Sequence, residues 1–141
     1  MKSAAGEHPL SALKAPSLAE VEALADAAYA ALPSRFTRLC EGLVIRVEDF
    51  PDVETLDEME CDTEYELLGL FRGQGLTQGA HLASTGDPPN MVWLYRRPIL
   101  DYWAESDDTL AEIVTHVLVH EIGHHFGLSD EDMEEIEKRA E

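Results

Sequence analysis

The chain has 141 residues, 45% of them hydrophobic, and its 29 acidic side chains outnumber 10 basic ones for a formal net charge of −19. The length and apolar share fit one compact domain with an ordinary core, while the charge argues against nucleic acid and anionic membrane surfaces, which would repel it. Two isolated cysteines, Cys40 and Cys61, make neither a disulfide framework nor a C-x-x-C motif; with no secretory leader and no bilayer-length apolar run, the reading is a cytoplasmic protein.

Residues 1–16 are small, polar and broken by proline, and are expected to be a flexible tail ahead of a single domain over 17–141. Ser17 and Glu20 form a capping box for a helix over about 18–32, with Leu18, Val21, Leu24, Ala25, Ala28 and Leu32 at helical spacing. Leu43 to Val47 is β-branched and predicts a strand, broken by Asp49-Phe50-Pro51-Asp52. A short acidic helix follows over about 53–59, within a stretch (Asp52 to Glu66) that carries many acids and no base. Such a run is usually a solvated face, and its rival reading is an attraction for basic peptides.

Tyr65 to Phe71 predicts a second strand, followed by a loop with Gly73, Gly75 and Gly79 and by turn chemistry from Ser84 to Asn90. Met91 to Tyr95 predicts a third strand, which is either a sheet edge where an extended substrate can pair or simply part of the core. A short helix over 99–104 opens on Pro98. Ser106 is the expected cap of a longer helix reaching about Phe126, stopped by Gly127 in a left-handed conformation; a last helix spans about 130–140.

That longer helix carries the chemistry. Leu110, Ile113, Val114, Val117 and Leu118 form one apolar stripe, and Val119, Ile122 and Phe126 are apolar on other faces, so its second half is expected to be buried. Into it are set His120-Glu121-Ile122-Gly123-His124, an H-E-x-x-H pattern extended to H-E-x-x-H-x-x-G-x-x-D by Gly127 and Asp130. Two imidazoles one turn apart can hold one zinc ion, and Glu121 then stands beside it where a general base belongs. Burying a carboxylate and two imidazoles is costly without partners, and a metal ion removes that cost. Gly127 lets the chain bend so that Asp130 can supply the third ligand, leaving one zinc position for water. Zinc acidifies that water to a pKa of about 7 and polarises a carbonyl, while Glu121 accepts its proton and passes it to the leaving amine. A peptide is the usual substrate of such a set.

Each assignment has a plainer competitor. His120 and His124 can be ordinary helix histidines. Asp130 can simply be a favourable acid in a helix that Ser129 caps, in which case Glu134 or Glu135 is the fallback ligand. His116, one turn before His120, is a partly exposed helix residue, a partner of the ligands, or a substitute ligand. His125 points away from the two motif histidines and is read as structural or as a partner of the ligands. Trp93 and Trp103 are read as core anchors, with a substrate pocket as the rival reading. Tyr95, Tyr102 and Arg97 are unranked candidates for stabilising an oxyanion. Histidine and carboxylate ligands also admit manganese, iron, cobalt or nickel.

The run Val119 to Glu131 resembles the small bacterial zincin-like metallopeptidase family. The likeness extends to Val47-Glu48-Asp49-Phe50-Pro51, to Leu67 through Gly73, and to Trp93 through Leu100, covering roughly residues 18–138. The resemblance implies an α+β minimal zincin fold, a small mixed sheet packed with the motif helix and flanking helices. It also implies zinc on His120, His124 and Asp130, with Glu121 as base, in a metallopeptidase acting on a peptide or protein. The extension is similar to that of metzincins as well, whose methionine turn lies well downstream; Met133 sits too close to make it. The alternative from another class is a non-catalytic metal-binding or protein-interaction protein that keeps the scaffold.

Overall fold

The computed structural model describes residues 8–73 and 89–140. The expected glycine loop at Gly75 and Gly79, most of the turn at 84–88 and the first seven residues of the expected tail lie outside them. The elements run α1 (Leu18–Ala30), α2 (Ser34–Thr37) with a 3-10 turn (Arg38–Cys40), β1 (Val44–Glu48), α3 (Val53–Glu58), β2 (Gly69–Arg72), β3 (Met91–Tyr95), α4 (Arg96–Glu105), α5 (Leu110–His125) and α6 (Asp130–Arg139).

Helix starts follow local chemistry. Ser17 caps α1, its side chain accepting from the Glu20 amide while Glu20 accepts from the Ser17 amide, the expected capping box. The cap of α5 is Thr109, in a second capping box with Glu112, and not the expected Ser106. The reason is reciprocity. Thr109 has a glutamate three residues on and satisfies two free amides, whereas Ser106 has Thr109 there. Ser106 instead closes α4, its amide donating to the Trp103 carbonyl.

The sheet is mixed, in the order β1-β3-β2, with β1 parallel and β2 antiparallel to β3. Among the described residues strand β3 is therefore the centre of the sheet, which fits the core reading of this segment and not the substrate-edge reading. It reads as nearly continuous apolar residues because both its sides are paired and its Val92 and Leu94 are fully buried. Strand β1 alternates instead. Ile45 and Val47 pack on the core, and Arg46 and Glu48 face away. Helix α1 lies against β1 and α5, while α5 lies against β2 and β3. The core is a layer of Val92, Leu94, Val114, Leu118 and Ile122 between sheet and helices. The other face is partly covered by α3. There Arg72 pairs with Glu58, and Glu48, Asp52 and Glu54 help line an open acidic cavity of about 710 Å³ over Trp93 and Tyr95.

The end of α5 sets the direction of α6. Gly127 takes φ +78°, and the Leu128 amide donates to the Gly123 carbonyl at 2.9 Å while the Gly127 amide reaches the His124 carbonyl at 3.2 Å. This is the Schellman arrangement a left-handed glycine permits. The chain turns back and α6 packs on α5. A β-carbon on Gly123 would stand 2.5 Å from Met133 Sδ, so the two helices meet where no side chain fits.

Gly123→Ala therefore tests two opposed effects. Alanine gains about 1 kcal/mol in helix propensity, and overpacking costs about 1–3 kcal/mol. Net destabilisation is expected in chemical denaturation. Combining it with Met133→Ala should cost clearly less than the sum of the two single changes; strict additivity would show that this contact does not limit the packing.

Candidate functional site

Helix α5 presents Glu121 to strand β2. The Tyr95 amide donates to the Leu68 carbonyl at 3.0 Å. In the observed antiparallel register this makes Leu70–Trp93 the next hydrogen-bonded pair and turns the backbone groups of Gly69 and Phe71 outward, away from β3. The outward Phe71 amide faces the Glu121 carboxylate and the Gly73 backbone faces the His125 ring, near enough to bias the ionisation of each. Glu121 and His125, one turn apart, thus clip the motif helix to the edge of β2 that faces away from β3. The fit is tight. A β-carbon on Gly69 would stand 2.7 Å from Val117 Cγ1, 3.1 Å from the Trp93 carbonyl and 3.4 Å from Glu121 Cγ.

Burial dominates the electrostatics of Glu121. Loss of water raises its pKa to about 7, against the smaller opposing pull of the Phe71 amide. A carboxyl in that range can both take and return a proton near neutral pH. His125 is lowered chiefly by burial. Its ring lies 4.3 Å from that of Phe71, and its Nε2 is buried with no hydrogen-bond partner.

The histidines of α5 fall in a row. The His116 and His120 ring centroids are 3.9 Å apart and tilted by 32°; His124 stands edge-on to His120 at 5.5 Å and is exposed. Glu137 reaches across from α6. Its Oε1 lies 3.2 Å from His116 Nδ1 and its Oε2 lies 3.1 Å from His120 Nε2. Among the described residues, the one group of three or more potential ligands whose donor atoms lie within 4.8 Å of one another is His116, His120 and Glu137. Beside it opens a cavity of about 750 Å³, lined by Leu68, Tyr102, His116, Val117, Glu137 and Lys138 among others.

Of the three residues read from sequence as ligands, His120 belongs to this group, while His124 and Asp130 do not. Asp130 is exposed in the first turn of α6, where Ser129 caps the helix by accepting from the Asp132 amide at 3.1 Å. Of the fallback ligands, Glu135 pairs with Arg139 at 2.9 Å and Glu134 lines the cavity. Glu137 escaped the sequence reading, although a signal for it exists. It follows Met133 by four residues, so it shares the face of α6 that docks on α5. Among the other residues singled out, Arg97 lies over the Phe50 ring at 5.4 Å, Tyr95 is buried beside the acidic cavity, and Tyr102 lines the cavity next to His116. Cys40 is buried and Cys61 half-buried, both as free thiols.

Residues 40–140 match the family model of the zincin-like metallopeptidases. The chain belongs to the zincin-like metallopeptidase family. No curated protein matches it. Membership agrees with the α+β fold, the small mixed sheet and the long motif helix, and it implies a metal ion. The residues present fit one. Imidazole nitrogen and carboxylate oxygen are the ordinary donors for zinc and its neighbours, and two histidines with a carboxylate already converge at His120. No helix among the described residues is long and apolar enough to cross a membrane.

In this member of the family, Gly69→Ala is expected to push α5 off β2, because the Trp93 carbonyl is backbone and cannot yield. The loss should be about 1–3 kcal/mol in thermal or chemical unfolding. It should come with faster hydrogen exchange at the Phe71 amide as the Glu121 contact opens. Unchanged protection of that amide would contradict the clip.

Proposed function

We propose that the protein is a zinc-dependent metallopeptidase that hydrolyses peptide bonds, with His120, His124 and Asp130 as metal ligands and Glu121 as general base. The observation that carries this reading is Glu121 itself. A carboxylate adjoining His120 is half-buried and largely desolvated in an apolar helix, against a strand amide, in a chain of the zincin-like metallopeptidase family. A purely structural acid gains little there, since desolvation without a compensating charge is costly. A zinc ion, when bound, supplies an acidified water and a polarised substrate carbonyl.

The residues of the chain do the rest. Glu121 takes the proton of the attacking water and delivers it to the departing amine. The Phe71 amide fixes the carboxylate while it is charged. His124, exposed beside His120, and Asp130, across the Gly127 bend, supply donors from the solvent side. Peptide or protein is the substrate class, and the net charge of −19 disfavours nucleic acid. Two free thiols suit a reducing, cytoplasmic setting.

A second reading, a metal-holding protein without hydrolysis, draws support from the convergence of His116, His120 and Glu137, which does not include Glu121. One pair of measurements separates the two. With zinc supplied, Glu121→Gln should lose peptide-library hydrolysis by at least about 100-fold, the lower end of what one acid–base group contributes, and should still bind zinc in a dialysis assay. Equal turnover in wild type and variant would reject Glu121 as the base, and no turnover in either would favour the second reading.

A further inference from the structure

The cluster of His116, His120 and Glu137 uses a histidine that the proposed hydrolytic ligand set also requires. The rings of His116 and His120 stack one turn apart with centroids 3.9 Å apart, and each turns a nitrogen toward the same carboxylate. Two donors about 2.1 Å from one tetrahedral ion stand about 3.4 Å apart. The observed separations of 3.2 Å and 3.1 Å are close to that, and the donor atoms of all three residues lie within 4.8 Å of one another. The carboxylate is well placed to stay. Glu137 sits one turn beyond Met133, whose sulfur is seated at Gly123, and beside the buried Ile136. Solvent reaches the group through the 750 Å³ cavity that His116 and Glu137 line.

We propose that His116, His120 and Glu137 form a second divalent transition-metal site that shares His120 with the hydrolytic one, so that a single ion occupies one seat or the other. The sharing follows from chemistry. His120 Nε2, the nitrogen aimed at Glu137, has one lone pair and serves one ion. An ion held by His116 and Glu137 leaves His124 and Asp130 short of a ligand, and hydrolysis stops. This competition rests on the ligand set proposed above; the site itself does not.

The test is cobalt titration of the full-length, metal-stripped chain, followed by visible absorption and equilibrium dialysis, with circular dichroism to confirm folding. Wild type should saturate at one Co²⁺. His124→Ala/Asp130→Asn should still bind one Co²⁺, and adding Glu137→Gln to it should weaken that binding by more than about tenfold, since even an outer-shell partner is worth about that much. His116→Ala/Glu137→Gln should also bind one Co²⁺. At one equivalent of zinc it should hydrolyse peptides faster than wild type, because no ion is diverted.

A folded His124→Ala/Asp130→Asn chain that binds no cobalt overturns the site. Two ions bound at once to wild type overturn the competition. If His116→Ala/Glu137→Gln binds nothing while His124→Ala/Asp130→Asn keeps wild-type affinity, the site stands and the hydrolytic ligand set proposed above falls.

Discussion

Everything at this site depends on where α5 is pressed. On one side a missing β-carbon at Gly69 lets Val117 and Glu121 come down onto β2; on the other, a missing β-carbon at Gly123 lets Met133 come down onto α5. Interiors are packed too tightly to absorb a methyl group at either place without strain. The two contacts fix the helix along its length and set its rotation. Rotation decides which of its ionisable residues meets β2 and which meets α6.

The consequence is a division of labour along one helix. Glu121 and His125, one turn apart, face the edge of β2 and are desolvated there. His116 and His120, also one turn apart, face Glu137 on α6. Only His120 neighbours both chemistries in sequence. The same packing that raises the Glu121 pKa thus carries His120 to the other side, within reach of an ion and of a competing carboxylate. Geometry and electrostatics here have a common origin in two small residues.

Local chemistry made much of this readable from the sequence. The Ser17–Glu20 box, the apolar periodicity of α5 and the left-handed Gly127 are each decided by a few neighbouring residues, and the structure has them where expected. Thr109 was equally visible, since it carries its own glutamate partner, yet the more distant Ser106 drew the reading. What local chemistry does not hold is sheet order. Nothing in Met91 to Tyr95 itself says whether one or two strands flank it, because that depends on pairings with β1 and β2 across long stretches of chain. Glu137 lies between these cases. Its phase relative to Met133 was present in the sequence, but it matters only once α6 is known to fold back on α5.

The clip between α5 and β2 bears on how the molecule behaves among its own copies. Unpaired strand edges template association with other chains, and proteins blunt them with bulges, charges or covering elements. Here Glu121 and His125 lie against the outward amide of Phe71 and the backbone of Gly73. Two ionisable side chains from a neighbouring helix therefore act as a guard on that edge, and edge-to-edge stacking into aggregates along β2 would first have to prise the helix away.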